Sequence, residues 1–229
     1  MNILMVMTSH DQLGTTGRPT GVWLDEFVGP YYDMRDAGAT VTLASPAGGR
    51  PPLDPQSTVA NAASNATARF ADDTETQDLF SSTHALSQVR ASQFAAVFYC
   101  GGHGPLWDLV DNVHSLALLQ DFAGSDKPIA AVCHGPIALL NVRLTTGAIF
   151  LTGREVTGFS NSEEESVGLT NVVPELLESA LVSRGAMYSK GAVDFAPFVV
   201  VDGTLITGQN PASSGPVAAT LMEMLAVRH

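Results

Sequence analysis

Short apolar runs of strand length recur along this chain and alternate with segments of helical periodicity. The clearest run is Ile129–Val132, and similar runs occupy residues 2–7, 40–44 and 94–99. Such runs are typical of strands that are buried on both faces of a sheet. The alternation predicts an α/β, flavodoxin-like fold, in which a largely parallel sheet is sandwiched between helices.

The coarse order of elements follows from periodicity and turn residues. We expect further strands at residues 155–157, 198–201 and 204–207, the last two joined as a hairpin by Asp202-Gly203. Helices are expected at residues 22–37, 78–89, 113–122, 133–140 and 215–227. The sequence contains no internal repeat and no linker, which predicts one domain over residues 1–229.

Charge and cysteine content exclude several classes of function. Eleven basic and twenty-three acidic residues give a formal charge of −12, and such a surface repels phosphate backbones and anionic lipid. Nucleic-acid and membrane-surface roles are therefore not expected. No apolar stretch approaches the roughly 18 residues of a membrane span, and two cysteines do not suggest a disulfide framework. We expect a cytoplasmic protein.

Cys133 stands at the point where the Ile129–Val132 strand turns into a helix. Its motif is Cys133-His134-Gly135-Pro136. A side chain on such a turn is exposed above the carboxyl edge of the sheet, and a helix N-terminus favours a thiolate there. The alternative is an inert buried cysteine, which is the interpretation we give to Cys100, inside an apolar run.

A glycine-rich loop follows the strand that precedes Cys133 in the chain. Gly101-Gly102-His103-Gly104 can direct main-chain N–H groups at a ligand as part of an oxyanion hole, although a tight turn is an equal alternative. A nucleophilic cysteine also needs a base. Among the histidines, His134 is adjacent to Cys133, His103 lies in the glycine loop and His10 lies in the first loop. Acids are available at Glu26 and in the run 163–165. Spacing alone selects none of those three glutamates.

These motifs resemble the ThiJ/PfpI superfamily of class I glutamine amidotransferase-like proteins. The resemblance is carried by Ala131-Val132-Cys133-His134-Gly135-Pro136 and by the glycine loop. Residues 21–26 with Pro30-Tyr31, 44–55, 157–164 and 207–213 further resemble the branch that contains glutathione-independent glyoxalases (glyoxalase III) and related heat-shock chaperones. The similarity extends over nearly the whole chain in the expected order.

The resemblance implies a role for individual residues. Cys133 would be the nucleophile, His134 its imidazole partner, and Glu164 the acid that orients His134, with Glu163 as a one-residue alternative. Glu26 would approach the cysteine sulfur as a buried, protonated acid. Main-chain groups of Gly102 and His134 would be the oxyanion donors, and Gly101 and His103 would complete the substrate-binding loop.

The implied activity is conversion of a small 2-oxoaldehyde such as methylglyoxal to lactate, without cofactor or metal, by a homodimer. Glutaminase activity is not expected, because Asn210-Pro211-Ala212-Ser213 stands where class I glutamine amidotransferases carry a His-Pro-Glu motif. Three alternatives stay open from the sequence: a holding chaperone, a deglycase that uses the same cysteine, and a cysteine-dependent amidase or peptidase.

Overall fold

The computed structural model describes residues 1–59 and 64–228, which form an α/β structure. The strands within these ranges are β1 (Asn2–Val6), β2 (Thr40–Ser45), β3 (His84–Ala85), β4 (Ala96–Tyr99), β5 (Ile129–Val132), β6 (Glu155–Val156), β7 (Met187–Tyr188), β8 (Val199–Asp202) and β9 (Leu205–Gly208). The α-helices are α1 (Leu24–Asp36), α2 (Asn65–Asp72), α3 (Thr74–Ser81), α4 (Pro105–Asp108), α5 (Val113–Gly124), α6 (Asn161–Ser166), α7 (Leu177–Ser183) and α8 (Ser214–Val227).

Seven strands form the central sheet in the order β3-β2-β1-β4-β5-β9-β8. All neighbouring pairs are parallel except β8 and β9, which run antiparallel at one edge. Strands β1, β4 and β5 are almost entirely buried, as their apolar sequences require. The predicted largely parallel α/β sheet is confirmed.

The order of the strands also decides where a ligand can bind. The chain moves from β1 through α1 to β2 on one side, and from β4 through α5 to β5 on the other. Right-handed crossovers in opposite directions place α1 and α5 on opposite faces of the sheet. The strand order therefore reverses between β1 and β4, and a crevice opens at the carboxyl ends of the strands there. No helix in the described ranges is long and apolar enough to cross a membrane.

The helix expected at residues 78–89 is wrong in position. Helix α3 begins earlier, at Thr74, and covers only residues 78–81 of the expected range, and the chain then becomes β3 at the sheet edge. Thr83 explains the change, because its hydroxyl bonds to the Gly49 carbonyl at 2.6 Å and contacts the Ser45 hydroxyl at 3.0 Å. These tertiary contacts draw the segment alongside β2 and override its local helical preference.

The C-terminal hairpin forms as expected, but its turn lies one residue later. Asp202 pairs with Leu205, so the two central residues are Gly203 and Thr204 rather than Asp202 and Gly203. Gly203 has φ of +60°, and Thr204 stays at negative φ. A positive φ at the first central position only is the type II′ pattern. The 155–157 strand forms a separate two-stranded sheet with β7.

Candidate active site

Cys133 occupies a strained turn directly after β5. Its φ is +58°, a left-handed conformation that costs a cysteine about 1–3 kcal/mol. The turn is held by main-chain bonds of 2.9 Å from Cys133 N–H to the Gly208 carbonyl and from Phe159 N–H to the Cys133 carbonyl. Gly135 is required on the far side, because a Cβ there would lie 2.6 Å from the Tyr99 carbonyl oxygen. The fold therefore fixes the sulfur at the crevice.

The resting form of Cys133 differs from the sequence expectation. The side chain is buried, and burial together with the nearby Glu26 carboxyl raises the pKa of the thiol well above its ordinary value. The segment that follows is a five-residue 3₁₀-helix, Gly135–Leu139, and the Gly102 N–H only partly opposes this shift of the pKa. Burial therefore opposes the expected helix-stabilised thiolate, and the cysteine needs a base when it reacts.

His134 and Glu164 lie together beside the cysteine. His134 Nδ1 is 3.4 Å from the Cys133 sulfur, and His134 Nε2 is 2.8 Å from Glu164 Oε2. The two histidines that face Glu164 lower its pKa despite burial, so the carboxylate is charged and accepts the Nε2–H. His134 Nδ1 then carries a lone pair directed at the thiol. Burial lowers the pKa of His134, which keeps this imidazole neutral, so that its Nδ1 is able to accept a proton.

His103 shares the same carboxylate. Its Nε2 lies 3.0 Å from Glu164 Oε1, and its ring centroid is 4.2 Å from that of His134. Each oxygen of Glu164 therefore holds one histidine. The sequence placed His103 in the glycine loop but gave no signal of this contact, because Glu164 lies sixty-one residues away in the chain.

The neighbouring glutamate, Glu163, has a different position. Its Oε2 accepts the Ser160 N–H at 2.9 Å, and its Oε1 accepts the Phe195 N–H and the Asn210 side-chain amide, both at 2.8 Å. These bonds cap α6 and tie it to the C-terminal segment. The geometry places Glu164, and not Glu163, against His134.

Glu26 reaches the site from the first turn of α1. The side chain is fully buried, its Oε2 accepts the Gly101 N–H at 3.0 Å, and its Oε1 has no partner within hydrogen-bond distance among the described residues. Burial raises the pKa of Glu26 to about 8, while contacts with the Cys133 thiol and Gly101 lower it. At neutral pH the carboxyl is protonated, and it can donate a hydrogen bond to a developing thiolate.

The two glycines of the loop have separate tasks. Gly101 N–H is bound to Glu26, so it is not a free oxyanion donor, which corrects the expectation for this residue. Gly102 N–H is instead the main-chain group that lowers the pKa of the Cys133 thiol, against the larger effect of burial. Gly102 has φ of +87°, and a Cβ there would lie 2.6 Å from Trp23 N. The close approach of these main-chain segments therefore requires glycine.

A cavity of about 430 Å³ opens beside these groups. His103 belongs to its wall, together with mostly apolar or aromatic neighbours that include Leu13, Trp23 and Leu169. Arg18 and Asp54 are its charged lining residues. A cavity of this size is typical of small-molecule sites.

Phe159 is a site residue that the sequence did not single out by function. Its ring lies 4.5 Å from the His134 ring, centroid to centroid, and Phe195 packs edge-on against it at 6.1 Å. This aromatic wall excludes water from the imidazole. An aromatic residue after a strand end gives no signal of such a role, since most aromatic residues pack in cores.

One group of metal-ligating side chains occurs among residues 1–59 and 64–228, and it consists of His103, His134 and Glu164. Their contacts of 2.8 and 3.0 Å are N–H···O hydrogen bonds to one carboxylate. We therefore interpret the group as a hydrogen-bonded set of acid–base residues.

The fold and the site define a class of α/β proteins that carry a cysteine on a strand-to-helix elbow with a histidine beside it. The DJ-1/PfpI family model matches residues 20–224, and the chain belongs to the DJ-1/PfpI family. The ThiJ/PfpI assignment from the sequence is confirmed.

Relatives of known name align over nearly the full length. A glutathione-independent glyoxalase of Schizosaccharomyces pombe is 28% identical, with 97% of this chain and 95% of the relative covered. Glyoxalase 3 of Candida albicans is 25% identical, with 93% and 94% covered. Among solved structures, the Rapid Encystment Protein 24 kDa of Francisella tularensis is 37% identical, with a TM-score of 0.93 and 98% of both chains covered.

Proposed function

We propose that this protein is a glutathione-independent glyoxalase of the glyoxalase III type, which converts methylglyoxal to lactate through Cys133. The observation that carries the proposal is the contact of His134 Nδ1 with the Cys133 sulfur at 3.4 Å, with Glu164 bound to the other nitrogen of this imidazole and the buried Glu26 carboxyl held by the adjoining glycine loop. The named relatives, aligned end to end at 25–28% identity, support the same activity.

The first step is addition of the thiol to the aldehyde. His134 Nδ1 takes the proton from Cys133 as the sulfur–carbon bond forms and the carbonyl π electrons move to oxygen. Main-chain N–H groups of Gly102 and His134 stabilise the oxyanion, and one well-placed donor of this kind contributes about 3–4 kcal/mol in other enzymes. The imidazolium, stabilised by Glu164, then returns the proton and gives a hemithioacetal.

The second stage is an internal oxidation and reduction. A base removes the proton from C1, the electron pair forms a C1–C2 double bond, and the ketone oxygen takes a proton from the neutral Glu26 carboxyl to give an ene-diol. The Glu26 carboxylate then takes the C1 hydroxyl proton, and return of the first proton to C2 gives a lactoyl thioester on Cys133. C1 is oxidised and C2 is reduced, so no external oxidant is needed. Water then cleaves the thioester, releasing lactate and the thiol.

Lactate formation by the purified protein, without glutathione or added metal, tests the proposal. We expect the wild type to form lactate from methylglyoxal and Cys133→Ala to form none. Cys100→Ala is the matched control, because Cys100 is the other buried cysteine and burial raises the pKa of its thiol as well. No lactate from a folded, reduced wild type would refute the glyoxalase proposal.

The alternatives from the sequence are separated by further assays of the same samples. A deglycase would act on a glycated peptide after free methylglyoxal has been removed, an amidase would cleave small peptide amides, and a holding chaperone would suppress aggregation in Cys133→Ala as well as in the wild type. Homodimerisation and cytoplasmic location stay predictions from the resemblance and the composition.

A further inference from the structure

His103 is the titratable residue of the site that is open to the cavity. Its exposed fraction is 8%, whereas the other titratable members, Glu26, Cys133, His134 and Glu164, are between 0% and 3% exposed. The cavity wall includes His103 but none of those four residues. The His103 ring also lies 4.2 Å from the His134 ring, centroid to centroid, so His103 connects the cavity with the buried groups around Cys133.

The two nitrogens of the His103 ring are in different environments. Nε2 is committed to Glu164 at 3.0 Å. Nδ1 has no hydrogen-bond partner among the described residues, and it is not among the polar atoms that are sealed from solvent. Because the Glu164 carboxylate accepts the Nε2–H, Nδ1 is the ring nitrogen that is left to accept a proton.

Neither of the two deeper acid–base groups is well placed for the proton on C1. Glu26 is protonated at neutral pH, so it begins as an acid and not as a base. His134 Nδ1 lies 3.4 Å from the sulfur, where it takes the thiol proton during the addition and returns it to the oxyanion. The His134 ring is also covered by Phe159. A second base that faces the carbon skeleton would carry out the C1-to-C2 proton transfer, while His134 carries out the transfer from the thiol to the oxyanion.

We propose that His103 is that second base, and that its Nδ1 removes the C1 proton of the hemithioacetal and returns a proton to C2. The proton converts His103 into an imidazolium that Glu164 stabilises, while His134 is neutral again after giving its proton to the oxyanion. The single carboxylate thus supports the two histidines in turn. This inference rests on the glyoxalase activity proposed above.

His103→Gln tests the assignment, because glutamine keeps an N–H for Glu164 but has no basic nitrogen. We expect kcat for lactate formation to fall by about 10²- to 10⁴-fold, the usual contribution of a general base. Alkylation of Cys133 by iodoacetamide should proceed at the wild-type rate, because the thiol, His134 and Glu164 are retained. The exposed histidine His114 on α5 provides the matched control, and His114→Gln should keep the wild-type kcat.

A kcat of His103→Gln near the wild-type value would overturn the assignment. A parallel fall in kcat and in the alkylation rate would overturn it too, because His103 would then act only by positioning Glu164. In either case, if the wild type makes lactate, the proposed glyoxalase function is retained and only the role of His103 is refuted. Absence of lactate from the wild type would refute both.

A measurement on the wild type alone covers the case in which the variant does not fold. A proton held on His103 Nδ1 exchanges with solvent through the cavity, so lactate made in D₂O should carry deuterium at C2. If the hydrogen from C1 were transferred completely to C2, with no deuterium incorporated, a base that exchanges with solvent would be excluded and the proposal overturned.

Discussion

Replacing Glu26 by glutamine should make the protein more stable at neutral pH while impairing its chemistry. Burial raises the pKa of this carboxyl from 4.5 to about 8. In the unfolded chain the carboxyl meets water and ionises near its ordinary pKa. Between these two values the unfolded state has released a proton that the folded state keeps, so the free energy of unfolding falls as the pH rises.

The size of the effect follows from the same shift of the pKa. Each pH unit inside the window lowers the free energy of unfolding by about 1.4 kcal/mol, which amounts to about 3 kcal/mol at pH 7. Glutamine is neutral, has nearly the same shape, and can accept the Gly101 N–H through its amide oxygen. For a chain of this length we expect Glu26→Gln to raise Tm by about 6–12 °C at pH 7.

Thermal or denaturant unfolding at pH 7.5 and at pH 4.5 measures this prediction. The difference between variant and wild type should be large at the higher pH and small at the lower one, where the folded-state carboxyl is neutral and the unfolded-state carboxyl is only about half ionised. A variant no more stable than the wild type at pH 7.5, or a gain of equal size at both pH values, would refute the reasoning.

Glu163→Gln is the matched control, because Glu163 is also a completely buried glutamate. Its two oxygens accept three hydrogen bonds, from Ser160, Phe195 and Asn210. In the variant an amide NH₂ replaces one of these oxygens, so two N–H donors would point at each other with no acceptor between them. We therefore expect the opposite sign, a loss of about 1–3 kcal/mol in the free energy of unfolding.

Three further predictions concern individual side chains. Glu164→Gln offers one acceptor to two histidines and allows the other tautomer of His134, so lactate formation should fall by about 10²- to 10⁴-fold, measured as kcat. Gly101→Ala would place a Cβ 2.7 Å from the Cys133 Cβ and 2.8 Å from the Val132 carbonyl oxygen, and should cost about 1–3 kcal/mol in denaturant unfolding as well as activity. Phenylglyoxal should be turned over alongside methylglyoxal in a product assay, because a cavity of about 430 Å³ exceeds the needs of the smaller aldehyde; complete rejection of phenylglyoxal would contradict this.

The sequence alone determined the parts of this protein that depend on local pattern. Apolar runs such as Ile129–Val132 can be buried only as central strands, and their alternation with helices leads to a parallel sheet with its site at the carboxyl edge. Cys133 and the glycine loop were therefore placed correctly at strand ends. The family resemblance pointed to Glu26 and Glu164 because their motifs are themselves local.

Tertiary structure alone decided the properties that depend on residues far apart in the chain. The thiol form of Cys133 and the protonated form of Glu26 follow from burial, and burial depends on the complete fold rather than on neighbours in sequence. The pairing of His103 with Glu164, and of Gly101 with Glu26, likewise joins segments that the sheet brings together. Local patterns predict where the site lies, whereas the ionisation state and hydrogen-bond partner of each group are set by distances that exist only in the folded chain.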